Sequence, residues 1–297
     1  MNLTINYVWI GANQLGWLDL FMIDSWSRWG CKVKLFTLNP ITPKLKKPPA
    51  HTHASLGLST NCKIYDLRTL ITQGDSMPKT REVLAHWFSM QMGVVADANR
   101  KFTFNMVDLC KSFIAATRKG IVMDLKIGPS PHIKKYVDAG VFEKEFIGCK
   151  RAGTLENQVM GSMEGKETEG GPESAGPKRI AYGKGFEAAL FKKPTALADM
   201  KRDNTAEWFA MATAAHKGGM ASSTWFDIGT PGRAKHESEY GISDAEFDGI
   251  AGEKCYGPIR IFKREDDQTN KAGGTRTSDS DRQALHAIAL AELEALS

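Results

Sequence analysis

The apolar positions of this chain change period along its length, and each change predicts an element. An apolar run from residue 3 to Tyr7-Val-Trp-Ile-Gly11 predicts a first strand. Leu18, Phe21, Met22, Ser25, Trp26 and Trp29 then recur at helical spacing, so Trp17–Trp29 reads as an amphipathic helix stopped by Gly30. Lys32–Leu38 is a second strand. Pro40, Pro43, Pro48 and Pro49 mark a loop before a short third strand at Asn61–Tyr65. Residues 79–118 read as mostly helical, with Met106, Leu109, Cys110, Phe113 and Ile114 on one face. Gly120 suits the left-handed position that closes a helix, with Arg118 and Lys119 in the last turn favouring the negative dipole end. A central strand is expected over 121–127. Strand and helix signals alternating in this way predict an α/β fold, with a mixed, mostly parallel sheet flanked by helices.

The strand after Gly120 carries the candidate chemistry. Strand side chains alternate, so Asp124 and Lys126 are expected on one side and Leu125 in the core. An acid and a base at the carboxyl end of an internal strand lie where open α/β sheets bind ligands. A strand-end Asp that caps a turn is the plainer reading of Asp124. Asp108 and Lys111, at i and i+3, share a helix face and read equally as a surface ion pair.

The stretch Asn105–Ile127 resembles the core of the DXD-type sugar transferases, the GT-A (Rossmann-like) family that includes yeast-type mannosyltransferases and clostridial glucosylating toxins. Without a gap, Asp108 stands for the family's first Asp, Lys111 for its Arg, Gly120 and Ile121 for its Gly-Ile, and Asp124 for the first Asp of DXD. Two positions depart from the pattern: Lys111 replaces Arg, and Lys126 replaces the second DXD carboxylate. Val8-Trp-Ile-Gly11, then Ser25-Trp26, resemble the family's opening, and Glu156-Asn157 the segment where the acceptor side is built. His216 and Thr224-Trp225 resemble its closing element at a longer spacing.

The resemblance implies transfer of a sugar from a nucleotide sugar, a UDP- or GDP-sugar, with retention of configuration. The acceptor would be a saccharide, a protein or modified DNA. It gives donor contacts to Asp108, Lys111 and Asp124, base stacking to Trp9, and sugar or acceptor contacts to Glu156 and Asn157. Trp9 as plain core packing is the alternative, and Trp26 is expected to pack. A DXD site holds Mn²⁺ or Mg²⁺ through its second carboxylate. The ammonium of Lys126 is no ligand, so it disfavours Mn²⁺ or Mg²⁺ without removing them as the alternative, and no cofactor is expected. It offers instead a positive charge for the leaving diphosphate. A nucleotide-sugar binder that has lost catalysis is the other reading.

Composition adds limits. Of 297 residues, 42% are hydrophobic and 25% charged, which suits a globular protein with a sizeable core. No apolar run approaches the roughly 20 residues of a membrane span. The N-terminal residues enter a strand with no basic-then-apolar leader. The five cysteines, Cys31, Cys62, Cys110, Cys149 and Cys255, are scattered without zinc spacing. Reduced thiols and a cytoplasmic location are therefore expected. A net charge of +5 suits an anionic ligand and also permits a nucleic acid acceptor. Residues 1–263 are expected as one domain, with a flexible loop at about 161–187 as a candidate lid over the donor. Residues 264–280 read as a linker and 281–297 as a terminal helix, capped by Ser280 and Gln283. His216, His236 and Asp227 are weaker candidates for the sugar or acceptor side, and His51 and His53, with no further ligands nearby, read as a loop rather than a metal site.

Overall fold

The computed structural model describes residues 2–10, 17–38, 62–72, 77–91, 100–130, 133–143, 146–151, 154–166, 174–202, 208–227, 253–256 and 258–262. Twelve strands appear among them: β1 Thr4–Trp9, β2 Lys32–Thr37, β3 Cys62–Asp66, β4 Gly120–Met123, β5 Ile127–Pro129, β6 Phe146–Arg151, β7 Thr154–Ser162, β8 Gly165–Lys166, β9 Ser174–Ala175, β10 Trp225–Asp227, β11 Glu253–Tyr256 and β12 Ile259–Phe262. Seven α-helices join them: α1 Trp17–Arg28, α2 Pro78–Gln91, α3 Arg100–Thr117, α4 Ile133–Asp138, α5 Pro177–Leu190, α6 Ala196–Arg202 and α7 Trp208–Ala221.

The main sheet has seven strands in the order β10-β6-β7-β4-β1-β2-β3. Its pairs are parallel except where β7 meets β4 and β6. The chain runs from β1 outward through β2 to β3, then returns to place β4 on the other side of β1. The strand order therefore reverses between β1 and β4, which opens a crevice at their carboxyl ends. The expected mixed, mostly parallel sheet flanked by helices is the observed architecture.

Alternation along each strand builds two cores. Val8, Phe36, Val122, Phe146 and Met160 face α2, α3, α5, α6 and α7. Ile5, Tyr7, Leu35, Met123 and Val159 face the opposite way, onto α1, α4, β5 and β12. Met106, Leu109, Cys110, Phe113 and Ile114, the expected face of α3, are all fully buried. Trp26 is fully buried too and packs, as expected. Past α1, Gly30 has φ 76°. The Cys31 amide there reaches the Trp26 carbonyl and the Gly30 amide that of Ser27, the bond pair of a left-handed helix stop.

Three local expectations are corrected. Gly120 does not cap a helix, because α3 ends at Thr117 and Gly120 opens β4. It has φ 123°, and a Cβ there would lie 2.7 Å from both the Thr4 carbonyl oxygen and the Asn6 amide nitrogen. Close approach to β1 is thus its reason. The strand expected over 121–127 breaks after Met123, and Asp124–Ile127 forms a turn closed by the Ile127 amide on the Asp124 carbonyl at 2.9 Å. Beyond the turn, β5 leaves the main sheet and pairs with β12. Finally, much of 161–187 is ordered secondary structure rather than a loop. β7 ends at Ser162, β8 pairs with β9, and α5 starts at Pro177. Proline in the first turn and the buried series Arg179, Tyr182, Gly183, Phe186, Leu190 account for that helix. Residues 264–297, with the expected linker and terminal helix, lie outside the described residues, as do His51, His53 and His236.

Candidate functional site

Asp124 follows the last residue of β4, the middle strand of the sheet, at the edge of the crevice. Its backbone amide is held by the Gln158 carbonyl of β7 at 2.9 Å. As the next residue in the alternation after Val122, it presents its side chain to α3 while Leu125 turns into the opposite core. There Lys111 meets it, with Nζ 2.5 Å from Asp124 Oδ1 and 3.3 Å from Asp108 Oδ1. The Lys111 side chain is only 3% exposed, against 25% for Asp124 and 36% for Asp108. Lys126 Nζ lies 3.8 Å from Asp124 Oδ2. The expected neighbourhood of Asp124 and Lys126 is therefore present, built by the turn and not by strand alternation.

Asn157 completes the group. It lies near enough to the Asp108 carboxylate to favour its charged form, against the rise from burial. It reaches that far because β7 carries extra residues: Ile147 pairs with Gly161, yet Cys149 pairs with Glu156. Such a bulge bends the strand and re-aims its side chains. Glu156 is half-buried in the same bulge, and its carbonyl accepts from Cys149 Sγ at 3.5 Å.

The electrostatics separate the two lysines. Burial alone would lower the Lys111 ammonium, but the Asp124 and Asp108 charges and their hydrogen bonds overcome it and hold it above the ordinary lysine range. Lys111 is thus a fixed cation that cannot act as a base. Asp108 is raised by the protein crowded around it, against Lys111, and the Asp124 charge adds to the rise. Lys126 keeps its side chain 24% exposed and meets Asp124 on Oδ2, the oxygen that Lys111 leaves. Among the described residues, no group of three or more His, Cys, Asp or Glu is placed to hold a metal ion. No helix among them is long and apolar enough to cross a membrane.

Not every candidate joins the cluster. Trp9 ends β1 but packs on the core of the opposite face. It lies at the crevice mouth without sharing a side with Asp124. Behind the cluster lie groups the sequence did not single out. The Tyr182 hydroxyl is 3.2 Å from His216 Nδ1 and 3.3 Å from Met160 Sδ. Burial pushes His216 down to about 4, the Glu156 backbone opposing and the Lys111 charge assisting. Only His216 drew attention from sequence. The helical spacing from Arg179 to Leu190 was the signal for Tyr182, hidden by the Gly- and Glu-rich stretch before it.

No protein-family model matches the chain, and no curated protein matches it. Among solved structures, one described as "PaToxG Glycosyltransferase" is similar at 11% identity and a TM-score of 0.39, over 83% of this chain and 73% of that one. A likeness that weak carries no argument, and the fold described above stands on its strand order and its two cores.

Proposed function

We propose that this chain is a glycosyltransferase of GT-A-like fold that takes a nucleotide sugar in the crevice between β1 and β4. The observation that carries the reading is the meeting of Asp108, Lys111, Asp124, Lys126 and Asn157 where the strand order reverses. These are the positions that the sequence resemblance assigns to the donor and sugar sides. In this reading Asp124 and Asp108 accept hydroxyls of the donor, and Asn157 and Glu156 line the sugar or acceptor side. Trp9 offers its ring to the base from the mouth of the crevice.

The transfer breaks the bond from the sugar's anomeric carbon to the diphosphate and forms one to an acceptor hydroxyl. The electron pair leaves with the diphosphate, and the hydroxyl gives up its proton. What this step needs most is positive charge beside the leaving group. Lys126 is the partly open cation for it, while Lys111 holds Asp124 in place. The donor set does not suit Mn²⁺ or Mg²⁺, because an ammonium stands at one carboxylate position and another ammonium grips the remaining carboxylate. Retention of configuration belongs to the same proposal. So do the acceptor classes, a saccharide, a protein or modified DNA.

The test is release of UDP or GDP from a panel of nucleotide sugars. The intact chain should turn over at least one donor in EDTA. Lys126→Ala should lose about 100-fold in rate, the scale for removing one charge-stabilising group. Lys126→Asp should become manganese-dependent. Full activity in Lys126→Ala would sink this role. One observation favours a second reading, a binder without turnover. Lys111 sits 2.5 Å from Asp124 Oδ1 and so takes up one of the two oxygens that sugar hydroxyls would use. That reading predicts donor binding with no release of nucleotide diphosphate.

A further inference from the structure

The turn at Asp124–Ile127 is fastened at both ends, from opposite faces of the sheet. At its start the Asp124 amide is held by the Gln158 carbonyl, and the Asp124 side chain by Lys111. At its close the Ile127 carbonyl accepts from the core of the other face. The Tyr7 hydroxyl donates to it at 2.6 Å, and the Trp26 indole Nε1 reaches it at 3.5 Å. A carbonyl oxygen has two lone pairs and can take both. The tyrosine bond is short, while the indole stands at the outer limit of a hydrogen bond.

Both donors arrive by the local periods of their elements. Ile5 and Tyr7 alternate onto one side of β1, and Tyr7 lies in register with Met123, the last residue of β4. Its side chain therefore stands next to the point where the turn begins. Met22 and Trp26 lie one turn apart on α1 and share a face. Gly128, the second residue of β5, lets that face approach, because a Cβ there would run into Met22 Sδ. Tyr7 and Trp26 are fully buried, so solvent cannot make good a bond lost there.

Between the two fastenings lie Leu125 and Lys126. Leu125 is buried in the same core as Tyr7 and Trp26, while Lys126 keeps a partly exposed side chain beside Asp124. A lysine carries its charge on a long flexible stem, so the backbone it springs from decides where the ammonium can reach. We infer that Tyr7, assisted by Trp26, is a positioning residue that sets Lys126 against Asp124 by holding the Ile127 carbonyl. Its bearing on a leaving diphosphate rests on the proposed function; its hold on the turn does not.

NMR reads that hold directly. In the intact protein the Tyr7 hydroxyl proton should exchange slowly and couple across the hydrogen bond to the Ile127 carbonyl carbon. Tyr7→Phe keeps the buried ring and removes one oxygen. It should shift the Lys126 side-chain signals, assigned by their loss in Lys126→Ala, and speed exchange of the Ile127 amide that closes the turn. Ile5→Val, a methyl lost from the same side of the same strand, should leave the Lys126 signals in place. Lys126 signals unmoved by Tyr7→Phe, or moved as much by Ile5→Val, would overturn the inference. Should Tyr7→Phe not fold, the coupling in the intact protein decides alone, and its absence overturns the inference.

A second arm uses whichever UDP- or GDP-sugar the intact chain turns over. Tyr7→Phe should lower kcat roughly tenfold at unchanged KM, the scale of one hydrogen bond felt only in the transition state. In the Lys126→Ala background the same change should cost nothing further, since the group it positions is gone. An equal loss in both backgrounds, or a raised KM with kcat unchanged, would overturn the link to Lys126. If no nucleotide sugar is turned over, the proposed function fails while the NMR arm still decides the hold on the turn.

Discussion

Two carboxylates stand at the carboxyl ends of parallel strands, and they live very differently. Asp66 ends β3 at the edge of the sheet, and Asp124 follows β4 at its middle. Asp66 pairs with Arg68, two residues away, through bonds of 2.5 to 2.9 Å, with both side chains well exposed at 39% and 46%. The bonds to Arg68 hold Asp66 below the usual carboxylate range. Asp124 pairs with Lys111, thirteen residues away on α3, and that lysine is nearly sealed from solvent. The shorter list of bonds carries the larger energetic stake. A local exposed pair gains little over its two hydrated ions, whereas a buried ammonium stripped of its partner has no solvent to turn to. Position matters as much: Asp66 caps an edge strand, while Asp124 stands where the strand order reverses.

The comparison can be broken most directly by neutralising each acid in turn. Asp124→Asn should lower stability by about 3 kcal/mol, because Lys111 keeps only Asp108 as a charged partner. Urea unfolding with an unchanged slope would measure it. Equal losses at Asp124→Asn and Asp66→Asn would refute the contrast.

Next in size is an acid effect from the group behind the cluster. His216 is held near 4 against an ordinary value of 6.5, chiefly by burial. Between those values the unfolded chain takes up a proton that the folded chain refuses. Its contribution is therefore complete above about pH 6.5 and lost as pH falls through 4, up to about 3 kcal/mol. Asp108, raised in the fold, works with the opposite sign at the acid end and softens the loss. Unfolding free energy measured from pH 7 to 4 should show a slope that His216→Gln flattens. The same slope in both proteins would assign it to other groups.

Smaller changes sharpen the division between the lysines. Lys126→Ala should alter stability by less than about 1 kcal/mol, since its contact with Asp124 is 3.8 Å long and partly solvated. Stabilisation by a nucleotide sugar should nevertheless fall. Asp66→Asn should cost less than about 1 kcal/mol and leave that stabilisation untouched. Thermal melts with and without donor separate these outcomes.

How far the site could be read from sequence follows from the range of each interaction. The faces of α1 and α3 were legible because burial imposes a local period. Asp108 and Lys111 were legible as neighbours because they are one helical turn apart. The Lys111–Asp124 bond was not stated by any pattern, since it needs the return of the chain beside β1. Lys126 was placed beside Asp124 for a reason the turn at 124–127 replaces. Asn157 as a partner of Asp108 depends on a bulge, whose extra residues disturb the very alternation by which strands are read. Tyr182 was lost because a Gly- and Glu-rich approach outweighed the helical spacing that follows Pro177.

The measurement that bears most directly on the central claim is the thermal shift of the intact chain with UDP- and GDP-sugars, each in manganese and in EDTA. The account predicts a rise with one donor that persists in EDTA. A ligand at about 100 times its dissociation constant adds about 2.7 kcal/mol, enough to read clearly. No shift with any nucleotide sugar in either condition would contradict it.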